Sequence, residues 1–335
     1  MSDPSIARHV VEGLRAAGID TLFCLPGVQN DDFFDVLVDA GDIRPIVARH
    51  EQGAAYMAMG ASQVHGRPAA FSVVPGPGML NASAALTSAY WSNSRVLAVI
   101  GEIPTFARGR GFGVLHELVD QHAILGQLTK HAALLDDAAT ATKQLQVALD
   151  QVASGRPRPV SIEVPANRWA TPAPGAITAP VATMPEIDGD AIERAADALR
   201  RAERPLIVVG GGAQDAGDEI AALAELLQAP VTTRRMGHGV IPTQHPLFVH
   251  LAIGHDLWRD ADVVVAIGTR LEWPVMHWKT DDAMTFVKID VDVDELDRHG
   301  LGTIGICGDA AEACRTLTEA LAGTAPRADR TAEVA

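Results

Sequence analysis

Three cysteines, Cys24, Cys307 and Cys314, are all that the 335 residues contain, too few and too scattered for a disulfide framework or a zinc site. That usage fits a reducing cytoplasm. Cys24 and Cys307 fall at the ends of predicted strands, where a small core residue is the ordinary role. Basic residues are also scarce: 27 Lys and Arg against 42 Asp and Glu leave a net charge of −15. This balance argues against nucleic acid or an acidic membrane surface as partner. No apolar run approaches the length of a membrane span, and Met1 to Arg15 lacks the basic-then-apolar pattern of a signal peptide. What is present, 47% apolar and 21% charged residues, is the composition of a soluble globular chain long enough for two cores.

Short apolar runs alternate with longer amphipathic ones. Ser2-Asp3-Pro4 reads as a cap and an early proline, opening a helix to Ala17 that Gly18 ends. Asp20 to Leu25 is a predicted strand stopped by Pro26-Gly27, and 30–40 a predicted helix capped by Asn30 and closed by Gly41. Predicted strands follow at 43–48, 69–74, 95–100, 130–135 and 159–164. Predicted helices lie between them at 51–65, 80–91, 116–126 and 138–153, with a glycine-rich loop at 101–113. Six strands alternating with helices predict a mostly parallel sheet covered on both faces. Pro165 to Asp188 holds five prolines and little periodicity, which reads as a stiff linker over 166–188. The alternation then resumes, with helices at 190–202, 215–227 and 309–321 and strands at 206–209, 230–232, 262–267 and 286–289. Residues 323–335 are polar and Ala-rich and are expected to be a disordered tail. The expected class is therefore α/β: two three-layer α/β/α domains with mostly parallel sheets, over 1–165 and 189–322.

The stretch from Arg49 to Ala61 stands out. An apolar run ends in Arg49-His50-Glu51, and an Ala-, Met- and Gly-rich helix follows that would let a flat ligand or another backbone come close. Glu51 falls in the first helical turn, a favourable place for a carboxylate; alone it would read as a capping residue. Pro26-Gly27-Val28, Glu51, Gly76-Pro77-Gly78 and Asn81 all fall just past the carboxyl ends of predicted strands, the rim where open α/β sheets bind ligands. A carboxyl group there can share a proton with a heterocyclic nitrogen.

In this order, these elements resemble the pyrimidine-binding domain of thiamine diphosphate-dependent enzymes, in the subgroup containing acetolactate synthase, pyruvate oxidase and benzoylformate decarboxylase. His116-Glu117-Leu118, Asp120-Gln121 and Thr129-Lys130 are similar to that subgroup's next segment. The second half, from Pro205-Leu206 through Gly237-His238-Gly239 and Gly268-Thr269-Arg270 to Asp290-Val291-Asp292, is similar to its central domain. The resemblance implies that Glu51 hydrogen-bonds N1′ of the cofactor's aminopyrimidine, and that the bound cofactor attacks a small 2-oxo acid. It implies that Pro26, Gly27 and Val28 lie near the thiazolium, that Pro75, Gly76, Gly78 and Asn81 line the pyrimidine pocket, and that Val28 and Gln121 face substrate. Taken alone, Gln121 reads equally well as a solvated helix residue. In the central domain Gly210, Gly211, Gly212, Arg270 and Asp290 are the residues placed to hold a nucleotide. The family leaves FAD, ADP or no ligand open there, and Leu271-Glu272-Trp273-Pro274 departs from the Asp-Asp-Arg run of acetolactate synthases.

The family holds the diphosphate and Mg²⁺ through a Gly-Asp-Gly followed downstream by Asn. These residues contain no Gly-Asp-Gly; Gly308-Asp309-Ala310 is the nearest, and no Asn follows Asn167. No metal ligands are assigned here. The expectation is one subunit of a split decarboxylase or carboligase, cytoplasmic and self-associating. It would share thiamine diphosphate with a separate subunit that carries the Gly-Asp-Gly motif and Mg²⁺. The alternatives are a fragment of a full-length enzyme of the same family and a non-catalytic scaffold or nucleotide-binding subunit.

Overall fold

The computed structural model describes residues 3–334, which form two units meeting between Thr183 and Met184. In the first unit the elements run α1 (Ile6–Ala16), β1 (Thr21–Leu25), α2 (Asp31–Ala40), β2 (Arg44–Val47), α3 (Glu51–His65), β3 (Ala69–Val73), α4 (Pro77–Trp91), β4 (Val96–Glu102), α5 (Gln121–Leu128), β5 (His131–Leu134), α6 (Ala138–Ala153) and β6 (Val160–Pro165). The strands form one parallel sheet in the order β2-β1-β3-β4-β6-β5. Alternate residues of the central strands feed opposite faces, as the period of two requires. Ala70, Leu97 and Val99 pack under α1, α2 and α6, whereas Phe71, Val73, Ala98 and Ile100 pack under α3, α4 and α5. That is the expected three-layer arrangement. The chain leaves β1 toward the edge strand β2 and returns to the other side of β1 as β3, so the strand order reverses at the β1/β3 crevice.

The second unit repeats the logic with α7 (Gly189–Arg201), β7 (Pro205–Val209), α8 (Gly217–Leu227), β8 (Val231–Thr233), β9 (Phe248–Val249), α9 (Leu251–Arg259), β10 (Val263–Ile267), α10 (Glu272–His277), β11 (Thr285–Asp290), α11 (Val293–Leu296), β12 (Ile304–Cys307) and α12 (Ala310–Ala320). Its parallel sheet runs β12-β11-β10-β7-β8-β9, with the reversal at β7/β10. Two-residue β9, the short α10 and α11, and α9 with its internal Gly254 carry too little periodicity to be read from sequence.

Several expectations are corrected. Ser2 lies outside the described residues; α1 is capped by Ser5, whose hydroxyl accepts from the Arg8 N–H at 3.3 Å. Asn30 precedes α2 but makes no capping bond, because its amide donates to the Val73 carbonyl at 2.9 Å instead. The helix expected from His116 begins at Gln121, since His116 has φ +71 and Asp120 caps α5. The 166–188 segment is not a free linker. Trp169 is fully buried, stacks on Phe33 and donates to the Gln29 carbonyl at 2.8 Å. The N–H groups of Ile6 and Ala7 reach the Thr171 and Trp169 carbonyls at 3.0 and 2.9 Å. Farther along, the N–H groups of Thr178, Val181 and Thr183 find Gln146, Asp150 and Ser154 side chains on α6. Proline removed the periodicity, and side chains satisfied the backbone in its place. The 323–335 tail is not disordered over the described residues either. Arg327 caps the carbonyls of Leu199 and Ala202 at the end of α7, and buried Arg330 donates to the Pro205 carbonyl at 2.8 Å. Polarity that suggests disorder is here the polarity of a helix cap.

Trp169→Ala should lower the unfolding free energy by ~3–5 kcal/mol, the cost of deleting a large buried aromatic, in urea denaturation followed by circular dichroism. A loss under about 0.5 kcal/mol, the size of a typical surface substitution, would restore the linker reading.

Candidate functional site

The β1/β3 crevice is built by backbone that no side chain could share. Gly27 follows β1, and a Cβ there would stand 2.6 Å from Val74 Cγ1; one on Gly78 would stand 2.7 Å from Val74 Cγ2. Val74, which sequence reasoning passed over, is thus a wedge between the two turns. Gly76 sits just before α4 at φ +59, ψ −117, a region L side chains rarely adopt, and a Cβ would meet the His116 carbonyl at 2.4 Å. Pro77 then starts α4, where its missing N–H is not needed.

Glu51 opens α3, partly exposed, with the helix N-terminus behind it. Its Oε2 accepts from Asn81 Nδ2 at 3.0 Å. Its Oε1 lies 3.6 Å from where a Gly78 Cβ would be, an ordinary contact distance, and no described residue donates to it. One oxygen held by an amide and the other bare beside glycine fits a heterocyclic N–H of an aminopyrimidine. Pro26 and Val28 are exposed at the same rim, Val28 at 65%, and Pro75 is buried beneath the turn. The structure therefore brings Gly27, Glu51, Gly76, Gly78 and Asn81 to one crevice.

Gln121 is the correction. It is buried and spends its whole amide inside the chain: Oε1 accepts from the Gly76 N–H at 2.9 Å, and Nε2 donates to the Gly101 carbonyl at 3.0 Å and Glu163 Oε2 at 3.1 Å. Buried, with both amide hydrogens and its oxygen engaged inside the chain, it pins the Gly76 turn instead of lying exposed at the rim. Around it lies a buried acidic cluster that was not anticipated. Glu163 is fully buried, with Oε1 2.6 Å from His122 Nδ1; burial raises its pKa, while His122 and Gln121 oppose the shift. Glu102 accepts from the Ile103 N–H at 2.6 Å, and burial, aided by the charge of Glu163, raises it from 4.5 to about 7. A glutamate inside the apolar run Val160–Pro165 was the available signal.

In the second unit Gly210–Gly212, Arg270 and Asp290 also fall at the carboxyl ends of adjacent strands, around the β7/β10 reversal. The glycines have a reason within the fold. A Cβ on Gly210 would stand 2.5 Å from the Gly268 carbonyl, and one on Gly212 2.9 Å from Gly268 Cα, while the Gly212 N–H donates to that carbonyl at 3.0 Å. Two strand-end loops interlock there. The Arg270 carbonyl accepts from His299 at 2.9 Å, and Asp290 accepts from the Asp292 N–H at 3.0 Å.

Comparison with known proteins finds two domain families in the chain. The N-terminal TPP-binding domain of thiamine pyrophosphate enzymes matches residues 4–124, and their central domain matches residues 192–317. The chain is 32% identical over 319 residues to the probable 2-ketoarginine decarboxylase of Pseudomonas aeruginosa, covering 92% of this chain and 57% of that protein. It is 30% identical over 338 residues to the probable acetolactate synthase large subunit of Methanocaldococcus jannaschii, covering 94% and 56%. It is 30% identical over 311 residues to the large subunit of acetolactate synthase isozyme 1 of Escherichia coli, covering 89% and 54%. The chain thus spans about half the length of the curated relatives it matches.

The raised Glu102 carboxyl gives a pH prediction. Its pKa is higher folded than unfolded, so its contribution to stability is full below 4.5 and is lost as pH rises toward and through about 7. Glu102→Gln removes that loss. Relative to the parent, the variant should gain roughly 2–3 kcal/mol between pH 5 and pH 8. Urea denaturation at the two pH values measures this, and a pH-independent difference would contradict it.

Proposed function

The chain belongs to the thiamine pyrophosphate enzyme family, with that family's N-terminal and central domains, and we propose that it supplies the cofactor-activating carboxyl of a 2-oxo acid decarboxylase or carboligase. The observation that carries this is the Glu51–Asn81 pair at the β1/β3 crevice, with the second carboxyl oxygen taking no donor from any described residue. Bound thiamine diphosphate would supply a nucleophilic carbon and an electron sink for decarboxylation. Glu51 would hold a proton at N1′, oriented by Asn81, while Gly27 and Gly78 admit the rings and Val28 meets the substrate. One relative is named for decarboxylating 2-ketoarginine and others for acetolactate synthesis, which favours a small 2-oxo acid as substrate. FAD is not part of this reading, because the Gly210–Gly212 turn is accounted for by its packing on Gly268.

The diphosphate and Mg²⁺ would be held by a separate subunit with a Gly-Asp-Gly and a downstream Asn, closing over the crevice. The exposed apolar side chains of the adjoining loop, Phe112, Leu115 and Val119 at 60%, 64% and 99%, suit such a cover. The packed helices α3 and α4 also carry exposed apolar side chains, Tyr56, Met57 and Val64 on α3 and Leu80 and Trp91 on α4. Gly53 and Gly60 on α3 have open space where a Cβ would be. We assign this α3/α4 surface to a second copy of the chain. No helix among the described residues is long and apolar enough to cross a membrane, and burial raises the Cys24 and Cys314 thiols to about 11 and about 12. Unreactive, unpaired thiols suit the cytoplasm.

Glu51→Gln in the assembled enzyme should keep the fold and slow H/D exchange at C2 of bound thiamine diphosphate by on the order of 10²–10⁴-fold, the worth of a positioned acid–base group. Unchanged exchange in a protein with a lowered melting temperature would make Glu51 a helix residue only.

Gly60→Glu should keep the fold, read as an unchanged far-UV circular dichroism spectrum, because nothing crowds that position, and should convert the dimer to a monomer in light scattering. A parent chain that is monomeric with and without its partner would overturn the assembly.

A further inference from the structure

We propose that Glu163 is a positioning residue for Glu51: through Gln121 it holds the Gly76 turn, and the turn sets where α4 presents Gly78 and Asn81. The inference rests on Glu51 being the cofactor-activating carboxyl. The path is continuous. Glu163 Oε2 accepts from Gln121 Nε2 at 3.1 Å, and Gln121 Oε1 accepts from the Gly76 N–H at 2.9 Å. Gly76 immediately precedes α4, whose Asn81 donates to Glu51 Oε2 at 3.0 Å.

Every link has one workable sense. Gln121 points both amide hydrogens at acceptors, Glu163 and the Gly101 carbonyl, and its oxygen at a donor. Turning the amide over would set its NH₂ against the Gly76 N–H. The sense therefore depends on Glu163 Oε2 remaining an acceptor. A fully buried carboxyl tends to take up a proton. His122 Nδ1, 2.6 Å from the other oxygen, keeps that proton on the Oε1 side whichever atom carries it. The charged groups around Glu163 are Glu102 from β4, His122 from α5 and Arg108 from the 103–120 loop; Asp120 from that loop acts on Glu102, and His131 on β5 lies near His122. Arg108 is tied to Asp136 at 2.8 Å. The Gly76 backbone lies against the His116 carbonyl, so the turn has little free space in which to re-form around a lost N–H partner, and on this proposal the change passes to the first turn of α4. A displacement near 1 Å at a catalytic group can cost about 10²-fold in rate.

The test uses three variants. Gln121→Met and Glu163→Leu break the path, and Glu163→Gln keeps it, since its amide oxygen still accepts from Gln121 and its NH₂ can donate to His122. The first readout is hydrogen exchange of the Gly76 amide by NMR in the full chain without cofactor. The second is H/D exchange at C2 in the enzyme assembled with thiamine diphosphate and Mg²⁺, below the onset of each variant's melting. Gln121→Met and Glu163→Leu should speed Gly76 exchange about 10- to 100-fold, as the loss of one buried hydrogen bond implies, and slow C2 exchange by a similar factor. Glu163→Gln should restore both. Parent-like behaviour of Gln121→Met in both readouts overturns the path, and so does a Glu163→Gln as impaired as Glu163→Leu. Faster Gly76 exchange with unchanged C2 exchange overturns the link to Glu51. Glu163→Leu can fail to fold without cost to the test, because Gln121→Met and Glu163→Gln carry it. A silent Glu51→Gln alongside overturns the functional reading and this inference with it; an impaired Glu51→Gln beside a silent Gln121→Met overturns this inference alone.

Discussion

The turn between β3 and α4 passes through a space that no side chain can enter. Gly76 takes a backbone conformation closed to other residues and lies against the His116 carbonyl, while Gly78 and Gly27 close on Val74 from two sides. This close backbone packing lets the ends of β1 and β3 meet the start of α3 with Glu51 at the centre. The sheet supplies the place, because its strand order reverses between β1 and β3 and the loops on either side diverge. The glycines supply the access. A side chain at 27, 76 or 78 would either fill the crevice or force the strands apart.

Beneath the turn the first unit buries two carboxyl groups in a chain already short of positive charge. Glu102 and Glu163 stand on β4 and β6, adjacent strands of the sheet. Burying an ionisable group is costly unless it is hydrogen-bonded. Here Ile103, His122 and Gln121 provide the bonds. Gln121 couples this cluster to the glycine turn, so the same hydrogen bonds that make burial tolerable also fix the backbone at the crevice. The second unit solves its own reversal differently. Its glycines interlock the loops after β7 and β10 by direct backbone contact.

Much of this was legible in the amino-acid order. Continuous apolar runs such as Ala69–Val73 and Val263–Ile267 announce parallel strands buried on both faces. The motifs around Gly27, Glu51 and Gly76 sit just after such runs, which is enough to put them on one rim. The packed segment around Trp169 and the docked arginines Arg327 and Arg330 were illegible for a common reason. Their backbone groups are satisfied by side chains and helix ends far away in sequence, and local periodicity carries no trace of that.

The sequence by itself determined the class of fold, which follows from residue type and spacing along local stretches, and its motifs carried the resemblance that identified the family and singled out Glu51. Only the tertiary structure decided what Gln121 does. The family resemblance implied a group facing substrate, but a side chain's role is set by which donors and acceptors surround it. Those come from Gly76, Gly101 and Glu163, 45, 20 and 42 residues away along the chain. Three-dimensional packing brings them together, and it buries the Gln121 amide among them.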